Sequence, residues 1–259
     1  MTDSAKYIIG TSGYSFTDWL GPFYPPGTKR SEMFEYYARQ FQALEVNFTF
    51  YAIPNPRILE RMASRAPADF AFWVKANQET THKQNRAVNS EFVANLEPLR
   101  AAGKLSGVLL QFPQSFRRTI ENRKYLSAVL EDFKSLPAAV EFRHDSWDAP
   151  AALEALRERN VTLVVPDAPS VRGLFRPPPT ATSRIAYLRL HSRDPKQWYR
   201  GMAERYDYLY SQEELKSILL QWVPLQEQVD RIYAFFNNCH RGQAAQNAEA
   251  FRRILGEIS

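Results

Sequence analysis

Glu45, Lys75, Glu141, Asp167 and His191 are the residues of this chain best suited to catalysis, because each closes a separate short apolar run. Glu45 and Asn47 stand in QALEVNF, and Lys75 ends FAFWVK. Gln111 follows SGVLL, and Glu141 and Arg143 stand in AAVEFRH. Asp167 ends VTLVVPD, Arg189 and His191 stand in RIAYLRLH, and Asn237 and Asn238 end RIYAFFNN. The carboxylates and the imidazole could move protons, while Lys75, Arg143 and Arg189 could hold an anion. Lys75 could also serve as a Schiff-base amine if desolvation lowered its pKa. Nothing in the sequence displays that desolvation, so its electrostatic role leads. Glu45, Glu141, Asp167 and His191 together could also hold a divalent metal ion through oxygen and nitrogen. Against a metal, no local ligand spacing such as HExxH occurs, and lysine and arginine partners are at hand.

Side chains alternate along a strand, so residues two apart share a face. Glu45 with Asn47, Glu141 with Arg143, and Arg189 with His191 are such pairs. If those faces point one way, three carboxylates meet a lysine, two arginines and a histidine. Charges gathered like this must be paired, hydrated or ligand-bound. The plain alternative is a salt-bridge network that plugs the site. His144 has the opposite parity to Glu141 and Arg143 and takes second rank. His82 lies in the loop after the third run and could fold over the site, whereas His240 has no evident partner. No GxGxxG, GxxxxGK[ST] or GxSxG is present, and Cys239 lacks a cysteine–histidine signature, so no cofactor is predicted.

The elements that must hold these residues are legible in the same runs. With YIIGTSG at the start there are eight apolar runs of strand length, rich in Val, Ile, Leu, Phe and Tyr. Helical spacing predicts helices over Ser31–Gln42, Pro56–Arg65, Ser90–Ala102, Ile120–Lys134, Pro150–Arg159, Gln212–Gln228 and Ala244–Ile258. Ser211 followed by Glu213 and Glu214 marks a helix start. Alternating strand and helix repeated to eight strands points to a single (β/α)8 TIM barrel over residues 1–259, with an active site at the strand C-termini. Two long aromatic loops, Tyr14–Lys29 and Ser192–Tyr210, fall on that same face. Most of their aromatics are expected to pack the loops onto the barrel. Interleaved with Arg193, Lys196, Arg200 and Arg205, they also fit a groove for single-stranded nucleic acid. The segment at 177–183, PPPTATS, reads as a plain connection on the opposite face.

The chain has 259 residues, 44% hydrophobic and 24% charged, as expected of a globular protein. Its net charge of +5 suits an anionic ligand but is also common in enzymes of neutral substrates. One cysteine leaves no internal disulfide. The N-terminus does not read as a signal peptide, and no apolar run reaches membrane-spanning length. A soluble cytoplasmic protein is expected, and nothing in the sequence sets an oligomeric state.

The motifs GTSGYSFTDWLGPFYP, LEVNFTFYAIP, VKANQETTH, LLQFP, VEFRHDSW, YLRLH and FFNNCHRGQAAQNA occur in order across nearly the whole chain. This series resembles the YecE-like family, a TIM-barrel family of unknown function distantly similar to sugar isomerase and endonuclease barrels. The resemblance implies the barrel fold and supplies no reaction. Carried onto this sequence, it marks Glu45, Asn47, Tyr51, Lys75, His82, Gln111, Glu141, Arg143, His144, Trp147, Asp167, Arg189, His191, Asn237, Asn238, Gly242 and Asn247. The chain has Cys239 where the family usually has aspartate, Ser192 where it has glycine, and Tyr14 where tryptophan is common. The leading expectation is an isomerase- or hydrolase-like enzyme of a small polar, anionic or sugar-like ligand. Glu45, Lys75, Glu141, Asp167 and His191 are its expected catalytic groups. Asn47, Tyr51, His82, Gln111, Arg143, His144, Trp147, Arg189, Asn237 and Asn238 are its expected ligand contacts. The alternatives are a nucleic-acid-binding or processing protein and a non-catalytic sensor.

Overall fold

The computed structural model describes residues 3–258, in which eight parallel strands close into a barrel in chain order. They are β1 Tyr7–Ser12, β2 Ala43–Val46, β3 Ala71–Lys75, β4 Leu105–Gln111, β5 Ala138–Glu141, β6 Thr162–Asp167, β7 Ile185–Leu190 and β8 Arg231–Phe236. β8 pairs with β1, Ile232 opposite Tyr7, so no strand edge is left open. Met1, Thr2 and Ser259, the ends of the span expected to form the barrel, lie outside the described residues.

The predicted helices form with small changes that have local causes. Pro56–Arg65 is matched residue for residue, capped by the Asn55 side chain with Pro56 in its first turn. The segment 90–102 divides into Asn89–Asn95 and Glu97–Ala101, with Pro98 opening the second helix. Proline has no N–H to continue the first helix. Gln212–Trp222 begins with a Ser211–Glu214 capping box, and Pro224 marks its passage into a 3-10 segment, Val223–Glu227. No helix joins β6 to β7. There the Thr182 hydroxyl donates to the Val161 carbonyl and accepts the Leu163 N–H, which ties the connection to the entry of β6. Among the described residues, no helix is long and apolar enough to cross a membrane.

Alternation divides each strand between two apolar layers. Outward residues such as Leu44, Val74, Val140 and Leu188 pack under the helices in the main core. Inward residues fill the barrel: Ala43, Trp73, Leu109, Ala139, Val164, Tyr187 and Phe235. Gly107 makes room for the largest of them. A Cβ there would come within 2.6 Å of the Trp73 ring. The barrel is therefore plugged below, and anything it binds must sit above this layer.

Candidate active site

Two residues beyond six of these apolar plug residues, the same strand faces turn polar. Ala43 is followed on its face by Glu45, Trp73 by Lys75 and Leu109 by Gln111; Ala139, Tyr187 and Phe235 lead likewise to Glu141, Arg189 and Asn237. Arg189 is the hub of this layer. Its Nε and Nη2 donate to Glu45 Oε2 and Oε1 at 2.8 and 2.7 Å, and its Nη1 donates to Glu141 Oε2 at 2.5 Å. The Tyr187 hydroxyl donates to Glu45 at 2.7 Å, and Arg143 Nε lies 2.5 Å from Glu141 Oε1. Burial alone would raise both carboxyls, but Arg189 holds Glu45 below the usual range. Arg143 and Arg189 together hold Glu141 well below it. Two buried anions are thus balanced by two guanidiniums, as burial requires.

His191 lies behind this layer, fully buried. Its Nε2 is 3.2 Å from Arg143 Nη2 and 3.6 Å from Glu141 Oε1, and its Nδ1 is 3.0 Å from the Asn237 amide. Burial and the charge of Arg143 push the imidazole down to about 3, so it is neutral at neutral pH. It braces the hub and does not line the mouth.

Above the hub is a cavity of about 380 Å³. Its floor comes from the strand ends: Asn47, Lys75, Gln111, Arg143, Arg189 and Asn237. Phe50, Tyr51 and His82 form one wall, and Trp198, Arg205 and Tyr206 from the loop after β7 form another. Every charged side chain in this lining is basic, because Glu45 and Glu141 are held below on Arg189. The Lys75 side chain has no hydrogen bond or ion pair among the described residues. Its Nζ sits 4.3 Å from the centre of the Phe50 ring. Burial and the nearby Arg189 lower its pKa to about 7, against the opposing pull of Glu45 and Glu141. His82 stands edge-on to the same Phe50 ring, with centroids 4.9 Å apart. Its partial burial and the charges of Lys75 and Arg143 hold it below the ordinary imidazole range. The Asn47 Oδ1 atom is buried without a partner among the described residues, an acceptor free for a ligand.

Besides His191, four expected site residues are placed away from the cavity. On β6, Pro166 lies opposite Arg189 while Asp167 lies opposite Leu190, so Asp167 faces outward. There it accepts from Arg193 Nη2 at 2.6 Å and from the Tyr210 hydroxyl at 2.8 Å. The expected three-carboxylate cluster is therefore a two-carboxylate one, and the four ligands considered for a metal are not brought together. His144 also faces away, with its Nδ1 accepting the Ser146 N–H at 3.0 Å. Trp147 stacks on Phe142 at 4.1 Å and donates to the Phe116 carbonyl, as a packing residue does. Asn238 donates to Asn247 Oδ1 and to the Tyr208 carbonyl, both at 2.8 Å, and fastens the loop to the last helix. The long loops behave mostly as packing too: Trp19 and Tyr24 are fully buried, and Trp19 Nε1 donates to the Cys239 carbonyl. Pro113, Gln114 and Leu174 line the cavity without any earlier signal beyond their place after β4 and β6.

A second, more apolar lobe of about 580 Å³ adjoins the first. Tyr14, Phe16, Leu44, Phe48 and Ile58 line it, and it shares Asn47, Tyr51, Tyr206 and Asn237 with the basic lobe. Cys239 borders it, but burial pushes its thiol up, away from the reactive thiolate.

A family model described as a protein of unknown function, DUF72, matches residues 8–259. The UPF0759 protein YunF of Bacillus subtilis is 30% identical over 267 residues, covering 95% of this chain and 94% of its own length. The crystal structure of a DUF72 family protein from Thermotoga maritima is similar with a TM-score of 0.90 and 40% identity, over 96% of this chain and 99% of that one. One from Enterococcus faecalis gives a TM-score of 0.86 at 25% identity, over 96% and 95% of the two chains.

Proposed function

The chain belongs to the DUF72 family, and from that starting point we propose that it is an isomerase-like enzyme of small anionic, sugar-like ligands, bound at the C-terminal mouth of the barrel. The observation that carries this reading is the sign of the lining. Lys75, Arg143, Arg189 and Arg205 face the cavity, while Glu141 is withdrawn beneath it and Glu45, held on Arg189, borders only the adjoining apolar lobe. Arg143 and Arg205 hold the anion, and Asn47, Gln111 and Asn237 meet hydroxyl groups. Lys75, lowered to about 7, matches what proton transfer near neutral pH needs, while His82, held down to about 4, stays uncharged beside it. Hydrolysis by paired carboxylates is less well supported, since two acids would have to flank one bond, and here both acids hold Arg189. A cytoplasmic location belongs to the same reading.

The nucleic-acid reading rests on exposed Tyr199, Lys196 and Arg200 beside the mouth. It is weaker because Arg193 is held by Asp167 and Arg205 packs on Trp198.

A thermal-shift screen of sugar phosphates, small hydroxy acids and keto acids, their neutral counterparts, and oligonucleotides tests the proposal. Anionic compounds should raise the melting temperature and neutral ones should not, with the effect lost in Arg143→Gln. Stabilisation by neutral sugars alone, or by oligonucleotides alone with a steep salt dependence, would count against it.

A further inference from the structure

We propose that Lys75 is a nucleophile that forms a covalent iminium with an aldehyde or ketone carbonyl carried by the anionic ligand. This rests on the reading of the basic lobe as an anion site and names the chemical class of substrate.

The geometry separates Lys75 from the other cations of the mouth. Arg189 and Arg143 are each engaged with buried carboxylates, and Arg205 donates its Nε–H to the Trp198 carbonyl. Lys75 alone of these four has a side chain with no hydrogen bond or ion pair among the described residues. It ends an inward-facing column whose preceding member, Trp73, is locked in the plug, so its stem rises from a rigid base. The Phe50 ring shields one side of Nζ from water. Glu45 and Glu141 are the carboxylates near enough to raise its pKa, and both are already bound by guanidinium. A lysine serving only as an anion anchor gains from full hydration or a carboxylate partner, and this site supplies neither. With a pKa of about 7, roughly half of Lys75 is uncharged at neutral pH, against about one in 2,500 for an ordinary lysine.

The chemistry balances with groups on the page. The Lys75 lone pair forms a bond to the carbonyl carbon as the C=O π bond becomes a hydroxyl, with the proton passing from nitrogen to oxygen. The hydroxyl then leaves as water with a proton taken from solvent, and the nitrogen lone pair, keeping its N–H, forms the C=N⁺ bond. The positive nitrogen acidifies the neighbouring C–H, whose proton a neutral base at the rim, His82, can take up and return. Water then re-adds and restores the free amine. No external oxidant or reductant is consumed. Arg143 and Arg205 hold the ligand's negative charge while a second positive charge appears on nitrogen, which favours a phosphate or carboxylate on the carbonyl compound.

The test separates binding from bond formation. Binding is measured by thermal shift with glycerol 3-phosphate, which has the charge and no carbonyl. Bond formation is measured with dihydroxyacetone phosphate or pyruvate plus cyanoborohydride at pH 7, which reduces any iminium to a stable secondary amine, followed by peptide mass mapping. We expect an adduct on Lys75 at least about ten-fold above any other lysine, given its far larger uncharged fraction. Labelling should rise with pH to half-maximum near 7, fall when glycerol 3-phosphate competes, and vanish from that peptide in Lys75→Arg. Anion binding with no adduct, or adducts spread evenly over surface lysines, overturns the nucleophile and leaves the anion site standing. No binding by any of the anions sinks both. The mapping uses the unaltered protein, so a variant that fails to fold does not decide the outcome.

Discussion

Arg189 and Glu45 face each other across the barrel from β7 and β2 and meet through two nearly equal contacts, 2.8 and 2.7 Å. Because Arg189 also holds Glu141, its loss would strand two buried carboxylates. Arg189→Met is expected to cost about 3–5 kcal/mol in urea unfolding, the range for breaking a buried pair from one side. Pairing it with Glu45→Gln should recover part of that loss. A cost below about 1 kcal/mol would mean the hub is hydrated and not a closed network.

The pH dependence of stability should report His191. Its imidazole is held down to about 3 in the folded chain, against an ordinary value of 6.5. As pH falls the unfolded chain takes the proton first, so stability present above 6.5 is lost progressively as pH drops through 3. Between pH 7 and 4.5 the unaltered protein should lose about 2–3 kcal/mol more than His191→Gln. Glu45 and Glu141 act in the same direction, and the comparison with the variant removes their contribution. Equal losses in the two proteins would show that His191 charges freely.

Asn247 fixes the loop after β7 from behind. Its amide accepts from the Tyr210 N–H and from Asn238, and donates to the Tyr210 carbonyl at 2.9 Å. Asn247→Ala should cost about 1–3 kcal/mol. Limited proteolysis should then cut faster within residues 192–210, the segment that carries Trp198 and Arg205. Unchanged cleavage would place the loop's anchor elsewhere.

Arg205 gives the complementary result. It packs on Trp198 at 5.0 Å and is only partly buried, so its removal should barely alter the melting temperature. If it touches the anion, Arg205→Ala should weaken phosphate binding about ten-fold or more, as the loss of a charge-assisted hydrogen bond does. Titration calorimetry with inorganic phosphate at fixed salt measures it. An unaltered affinity would confine the anion to Arg143 and Lys75.

Alternation of side chains explains how far the sequence could be read. Glu45, Glu141 and Arg189 could be put on one face because each lies two residues beyond an apolar plug residue. The same count on β6 runs from Val164 to Pro166 and leaves Asp167 outside, so a rule already in hand, applied to that strand, would have removed it. His191 obeys the alternation yet sits behind the mouth, since Trp198 and Tyr206 fold across it at centroid distances of 6.1 and 6.2 Å. Contacts of that kind depend on loop paths and leave no periodic trace. Trp147 and Asn238 showed the residue types of a binding site, but their partners Phe142 and Asn247 come from packing that no local motif encodes. Lys75 was visible as a residue, but its loss of hydration was not, because that depends on Phe50 and Arg189 converging from other segments.

The hub draws its principal members, Glu45, Glu141, Arg189 and the Tyr187 beneath it, from strands alone, whereas both lobes take most of their walls from loops. The two parts can therefore change independently. Apart from Arg143, which lies just past β5 and serves both parts, a loop can lengthen, or Phe48 and Ile58 can be exchanged, without disturbing the buried charge balance. The barrel acts as a chassis with an interchangeable mouthpiece, and grafting loops between relatives is the direct way to transfer ligand preference while keeping the fold intact.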